Sequence, residues 1–164
     1  MTDIQPTRVL LESRSGFHDA LRAAFAEAAR VGCRELFIVD DDFADWPLNE
    51  RTIVEQLTQW ASSHRRFTAI ARNFDEVARR HARWVEWRRT WAHVVHCRTN
   101  NELEAGQMPT LLLAPGLTSV RLFDTERYRG VATNDPADAL RWREDLDAVL
   151  QRSEEAFPAT TLGL

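Results

Sequence analysis

The sequence contains no lysine: all 21 of its basic residues are arginine. Mechanisms that need a lysine within the chain are therefore excluded, among them the phosphate-binding lysine of P-loop proteins and Schiff-base catalysis. Arginine keeps its charge at physiological pH and offers a planar fork that binds carboxylate or phosphate through two parallel hydrogen bonds. Anion binding stays open, whereas acid–base catalysis by lysine does not.

Cysteine and long apolar runs are also scarce. The two cysteines, Cys33 and Cys97, are too few for a disulfide scaffold and have no C-x-x-C spacing, so we expect two buried thiols. No apolar run approaches the length of about 18 residues that a membrane-spanning helix needs. The N-terminus lacks the basic-then-apolar layout of a signal peptide. We therefore expect a cytoplasmic protein that does not associate with membranes.

Net charge and histidine spacing remove further classes of function. The formal charge of −4 argues against a general coat for nucleic acid. The five histidines show no paired spacing typical of a zinc site, and no glycine-rich nucleotide motif or nucleophile elbow is present. We expect no cofactor.

Strand and helix patterns alternate along the chain. Strands are predicted at 7–12, 34–40, 66–72 and 93–99, followed by a hairpin of 110–115 and 119–124 and an edge strand at 128–133. Helices are predicted at 15–32, around Ile53, Leu57 and Trp60 after an Asn49 cap, at 74–91 after an Asn73 cap, and at 136–152. This order predicts one α/β domain over residues 7–164, with residues 1–6 as a tail, built as a mixed β-sheet with helices on both faces.

A run of acids follows the second predicted strand: Asp40, Asp41 and Asp42, with Asp45 close behind. Clustered carboxylates after a strand can bind magnesium, as in phosphorelay receiver domains. A receiver is excluded because the acids follow the wrong strand, Arg72 ends the third strand, and lysine is absent. Asp40, Asp42 and Asp45 stay a candidate metal site, against the alternative that they shape a loop by hydrogen bonds to the backbone.

The segment 76–98 mixes arginine with tryptophan. Such a mixture can bind single-stranded nucleic acid, but the helical spacing places at least two of its tryptophans toward the core. The arginines of this helix are then interpreted as a solvated face, partly countered by Glu76 and Glu86, and anion or phosphate binding is the alternative. The candidate anion ligands are His81, Arg88, Arg89 and Arg72.

The chain resembles a family of uncharacterised bacterial domains. The resemblance lies in the order of elements, the helix "ARRHARWVEWRR", the hairpin into "RLFDTERYRGVATNDPADAL" and the "LGL" end. That family is similar to half of the phospholipase D fold, and some relatives are fused to N-acetyltransferase domains. Active phospholipase D proteins carry a histidine nucleophile, a lysine and an aspartate before a hairpin. Met108, Thr110 and Pro115 stand at the corresponding positions here. The resemblance therefore implies the fold without the catalysis.

We predict a non-catalytic domain that binds a small anionic ligand or a protein partner. The alternatives are a metal-dependent phosphodiester or phosphoryl enzyme using Asp40–Asp45, and a single-stranded nucleic-acid module using the helix 76–91. We do not expect nucleic acid to be the partner. A homodimer is expected by analogy with paired phospholipase D halves, from Trp46 beside Pro47 in a loop, and from the apolar tail "TTLGL".

Overall fold

A computed structural model of the protein describes residues 5–159. The elements in chain order are β1 (Arg8–Leu11), α1 (Arg14–Val31), β2 (Glu35–Val39), α2 (Arg51–Trp60), β3 (Arg66–Ala71), α3 (Asp75–Arg80), α4 (Ala82–Thr90), β4 (Val95–Thr99), β5 (Thr110–Ala114), β6 (Thr118–Asp124), β7 (Arg129–Thr133), α5 (Pro136–Gln151) and β8 (Glu154–Glu155).

All eight strands form one mixed sheet in the order β1-β7-β6-β5-β2-β3-β4-β8. β2, β3 and β4 are parallel neighbours, and the other pairings are antiparallel. The predicted mixed α/β sheet is confirmed. The prediction of an edge strand at 128–133 was wrong, because β7 lies between β1 and β6, and within residues 5–159 the sheet ends at β1 and β8.

Helices cover both faces of the sheet, as predicted. Along β2 successive side chains alternate between the two layers, with Leu36 and Ile38 on one side and Phe37 and Val39 on the other. The first layer contains α1, α2 and α4, which bury Phe17, Leu21, Leu57, Trp60 and Trp84. The second layer contains α5, which buries Trp142, Leu146 and Val149. No helix within the described range is long and apolar enough to cross a membrane.

The ends of α1 and α5 follow from local chemistry. The Ser13 hydroxyl accepts a hydrogen bond from the Gly16 amide at 3.0 Å, and Gly32 ends α1 in the left-handed conformation at φ 79°. At α5, Asp135 accepts from the Ala137 amide at 2.9 Å, and Pro136 occupies the first turn. The glycine stop and the Asp–Pro start were both predicted correctly.

Two predicted features of the helices were wrong. Asn49 does not cap α2, which begins after Glu50; its side chain instead accepts from the Arg83 amide at 3.0 Å. The predicted helix 74–91 is two helices, because the backbone leaves the helical region at His81, with φ −122° and ψ 55°. The break lets the His81 ring donate to the Phe43 carbonyl at 2.7 Å, inside the core.

Trp46 is buried within the single chain, with 3% of its surface exposed. Its ring meets Phe17 and Phe43 edge-on, at centroid distances of 5.8 and 5.1 Å. Trp46 therefore gives no reason to expect a dimer, which corrects the argument made from its position in a loop. The tail "TTLGL" lies outside the described residues, and the homodimer stays a prediction. Of the two thiols, Cys97 is buried as expected and Cys33 is only half-buried.

Candidate functional site

Asp40 follows β2 at the carboxyl edge of the sheet, and its carboxylate is fully engaged. One oxygen accepts from the Thr110 hydroxyl on β5 at 2.5 Å, and the other accepts from the Phe43 amide at 2.8 Å. Burial raises the pKa of the Asp40 carboxyl, while the hydrogen bond from Thr110 acts in the opposite direction. Asp40 thus joins two strands to the loop that follows β2.

The other acids of this loop also have partners. Asp42 accepts from the Ala44 amide at 2.9 Å, and Asp41 lies 3.3 Å from Arg72. Asp45 accepts from Arg14 at 2.7 Å and from the Tyr128 hydroxyl, a bond that raises the pKa of Tyr128.

The proposed metal ligands Asp40, Asp42 and Asp45 are therefore brought into one loop and used for its internal hydrogen bonds. Across residues 5–159 no group of three or more histidine, cysteine or acidic side chains is arranged to hold a metal ion. The geometry matches the alternative interpretation, in which the carboxylates hold the loop against the backbone.

A cavity of about 210 Å³ opens beside this loop. Met108 and Thr110 line it together with Asp40, Trp46 and Tyr128. Met108 and Thr110 are the residues that stand where a phospholipase D protein would carry its nucleophile and lysine. Here one is an apolar side chain, and the hydroxyl of the other is donated to Asp40. The histidine and lysine of the phospholipase D mechanism are therefore not found at these two positions.

The four candidate anion ligands are not brought together. His81 is 4% exposed, and its ring faces the Phe43 carbonyl, so Nε2 carries the hydrogen and the ring binds within the core. Burial lowers the pKa of His81, which favours the neutral ring. Arg89 is exposed and pairs with Glu86, and Arg72 lies at the carboxyl edge between Asp41 and the Leu103 carbonyl.

The tryptophans of this segment are packed inside. Trp84 and Trp87 are buried around Phe67, and Trp91 is half-buried. Neither buried ring presents a face on which a nucleic-acid base could stack. The expectation that at least two tryptophans of this helix face the core is confirmed.

Arg88 belongs to a different group of cationic side chains, beside β4 and β8. Together with Arg66, His96 and Arg98 it lines a cleft of about 590 Å³, which we call the basic cleft. Burial and the neighbouring Arg66 and Arg88 lower the pKa of His96. Three arginines and one histidine therefore line one cleft, together with Glu155.

The contacts of these arginines involve neutral groups. Arg88 is 6% exposed and donates to the carbonyls of Val95 at 2.9 Å and Phe157 at 3.3 Å. Arg98 donates to the Ser153 hydroxyl and carbonyl, at 2.7 and 2.8 Å. Within residues 5–159 none of the three arginines forms an ion pair with a carboxylate.

Sequence reasoning found Arg88 but missed Arg66, His96 and Arg98. The spacing of His96 and Arg98 was the available signal, since residues two apart on a strand share a face. Their meeting with Arg66 and Arg88 depends on the parallel pairing of β3 with β4 and on the packing of α4. Neither is readable from local pattern.

Comparisons with known proteins identify the fold. No protein-family model and no curated protein matches the sequence. Among solved structures, the archaeal chromatin protein TrmBL2, described as showing a novel mode of DNA binding, aligns with a TM-score of 0.63 at 10% identity. That alignment covers 91% of this chain and 54% of TrmBL2, so the chain spans about half of the chromatin protein.

Two bacterial proteins align over nearly their whole length. NucT from Helicobacter pylori has a TM-score of 0.60 at 11% identity, covering 93% of this chain and 100% of NucT. Nuc from Salmonella typhimurium, a phospholipase D family member, has a TM-score of 0.59 at 9% identity, covering 93% and 99%. The chain therefore has the α/β fold of phospholipase D proteins, as predicted. Membership of the uncharacterised bacterial family stays a prediction.

Replacing Asp40 by Asn tests the buried carboxyl. The pKa of Asp40 is higher in the folded protein than in the unfolded chain. As pH rises from the unfolded pKa to the folded pKa, the unfolded chain therefore loses this proton first, and the wild type becomes less stable. We expect the unfolding free energy of Asp40→Asn, relative to wild type, to rise across that window by ~1.4 kcal/mol per unit of raised pKa and then to level off. Urea denaturation over a pH series measures it.

Glu76→Gln is the control with the opposite sign. The hydrogen bond from Arg80 lowers the pKa of Glu76, so the stability of this variant relative to wild type should fall as pH rises through the acidic range. A stability difference for Asp40→Asn that does not change with pH would contradict the role given to burial.

Proposed function

We propose that the protein is a non-catalytic binding domain that holds a small anionic ligand in the basic cleft. The observation that carries the proposal is that Arg66, Arg88, Arg98 and His96 line one cleft, and none of the three arginines is ion-paired with a carboxylate among the described residues. Guanidinium groups bind phosphate and carboxylate through paired, charge-assisted hydrogen bonds.

The burial of Arg88 strengthens the argument. A charged group removed from water is costly unless it is paired, and its two carbonyl partners carry only partial charge. An anion in the cleft would supply the missing countercharge. The carbonyls of Val95 and Phe157 meanwhile hold the guanidinium in place, which limits the conformational entropy lost on binding.

The dimensions and surroundings of the cleft favour a small ligand. About 590 Å³ is in the usual range for a small-molecule site, and Glu155 stands at its border, where it opposes a large polyanion. The DNA binding described for TrmBL2 would in this chain require a continuous basic surface, against a net charge of −4. A phosphate- or carboxylate-bearing small molecule fits these charges best.

The residues of the cavity beside Asp40 support a domain that does not hydrolyse phosphodiesters. Phosphodiester cleavage by this fold needs a nucleophile and cationic partners for the phosphate. Met108 and Thr110 supply neither, and the carboxylate of Asp40 is committed to Thr110 and Phe43.

Sulfate binding by arginine variants tests the basic cleft. We expect wild-type protein to bind sulfate at low ionic strength and Arg66→Gln to weaken the affinity about tenfold, since a charge-assisted hydrogen bond is lost. Arg66 is exposed, so the fold should survive the change. Isothermal titration calorimetry against matched chloride measures the effect.

Arg89→Gln is the matched control, because it removes the same charge from α4 outside the cleft, where Arg89 pairs with Glu86. Its affinity for sulfate should stay within about twofold of wild type. Equal losses in the two variants would indicate bulk charge instead of a site, and an unchanged Arg66→Gln would remove the proposal.

The pH dependence of sulfate binding tests His96. A bound anion favours the imidazolium, so binding should take up a proton and the affinity should increase as pH falls from about 8 to about 5. The gain is about tenfold for each unit by which the anion raises the pKa of His96. His96→Asn should flatten the profile, whereas His64→Asn, at an exposed position outside the cleft, should leave it unchanged.

Hydrolysis of bis(p-nitrophenyl) phosphate tests the absence of catalysis. We expect no release of nitrophenol above the buffer rate, with magnesium, manganese or a chelator present, because Met108 and Thr110 occupy the positions of the phospholipase D nucleophile and lysine. Turnover by the wild type that disappears in Asp40→Asn would establish an enzyme and reverse this part of the proposal. Turnover unchanged in that variant would point to a contaminant.

A further inference from the structure

The edge strand β1 has an unusual surface for the end of a sheet. It pairs with β7 on one side only, within the described range, and Val9 and Leu10 are 58% and 73% exposed. An exposed apolar edge strand is a template for pairing with another strand, and proteins normally protect it with charge or proline. Nothing of that kind interrupts Val9–Leu11.

The contacts to β7 show which backbone groups face outward. Thr7 accepts from the Asn134 amide at 3.3 Å, so Thr7 directs its backbone groups toward β7. Because this direction alternates along a strand, Val9 and Leu11 also face β7, while Arg8, Leu10 and Glu12 present their N–H and C=O groups to the open edge. Any strand added here must bond to those three residues.

We propose that β1 of a second copy occupies this edge, antiparallel to the first, with the twofold axis at Leu10. In this register Leu10 faces Leu10 of the partner subunit, and Arg8 of each copy faces Glu12 of the other. All three outward-facing residues then exchange backbone hydrogen bonds, and opposite charges lie across from each other at both ends.

The other antiparallel registers are less favourable. Axes at Arg8 or at Glu12 place like charges opposite one another. Axes at Val9 or at Leu11 leave one outward-facing residue of each strand without a bonding partner in the other strand. The charge pattern of residues 8–12 is therefore complementary to itself in one register only, which selects a second copy over an unrelated peptide.

The groove beside β1 has room for the partner's side chains. It measures about 580 Å³ and runs between β1 and α1, where Ala20 and Ala23 leave space above the strand. In the proposed register Val9 of one copy lies across from Leu11 of the other on this face, at the closer of the two antiparallel spacings. The acids at its border, Asp19 and Glu27, are already paired with Arg22 and Arg30.

The oligomeric state and its loss on substitution test the interface. Light scattering after size-exclusion chromatography should give wild-type protein twice the 18.9 kDa mass of one chain at micromolar concentration. Leu10→Lys should reduce it to a single chain. Val31→Lys, which places the same charge at another exposed apolar position, should leave the dimer intact.

Charge exchange tests the register. Arg8→Glu places two carboxylates across from each other at both ends of the paired strands, and Glu12→Arg places two guanidiniums there, so each variant alone should dimerise at least tenfold more weakly. Mixed in equal amounts, the two variants regain opposite charges at both ends and should form a heterodimer. Circular dichroism verifies that both fold, since Arg8 also lies 3.3 Å from Asp138. If Arg8→Glu does not fold, a cross-link replaces the mixture: Leu10→Cys in a Cys33→Ser background should form a disulfide between the two copies. In the proposed register the two Cα atoms at position 10 lie about 5.5 Å apart, a distance that a disulfide can span.

Three results would overturn the proposal. One is a wild-type mass that stays at 18.9 kDa up to several hundred micromolar. Another is a dimer that survives Leu10→Lys, which would move the interface elsewhere. The last is a mixture of Arg8→Glu and Glu12→Arg that associates no better than either variant alone. Where the cross-link replaces the mixture, the corresponding result is that Leu10→Cys forms no disulfide between copies. The sulfate affinity of Leu10→Lys should equal that of wild type, so failure of the dimer and failure of the anion site remain distinguishable.

Discussion

The half-buried carboxylate of Asp40 is the constraint on which the carboxyl edge of the sheet depends. It accepts from Thr110 on β5 and from the Phe43 amide in the loop after β2. Phe43 is held at φ 59°, an unfavourable value for a bulky residue, and its carbonyl receives the His81 ring at the break between α3 and α4. One series of hydrogen bonds thus fixes two strands, a strained loop and a helix break, and removing any member would leave buried polar groups unpaired.

The α/β fold shared with phospholipase D proteins does not by itself assign a chemistry to this chain. In the cavity beside Asp40, the carboxylate of Asp40 accepts from Thr110 and Phe43, and Met108 belongs to the apolar cluster on the α5 side of the sheet. The arginines of the basic cleft, which within residues 5–159 have no carboxylate ion partner, lie beside β4 and β8, and the exposed apolar strand β1 lies at the other end of the sheet. A fold is compatible with many functions, and the side chains at each edge decide which one a given chain can perform.

Much of the architecture could be predicted because its signals are local. The buried run of β2, the Gly32 stop and the Asp135–Pro136 start each depend on residues within one or two turns of one another. The helix break at His81 could not be predicted, because it results from a hydrogen bond to Phe43, 38 residues away in sequence. The burial of Trp46 was missed for the same reason, since Phe17 and Phe43 enclose it from two separate segments.

By itself the sequence determined the mixed α/β class and the exclusion of lysine chemistry, because periodicity and composition can be read without the tertiary structure. Only the tertiary structure decided which cations share a site. Arg88 and Arg89 are adjacent in sequence, yet one is buried toward β4 and the other faces solvent beside Glu86. Arg66 and Arg98 join Arg88 because parallel pairing of β3 and β4 brings distant segments to one edge, and long-range packing of this kind leaves no local signal.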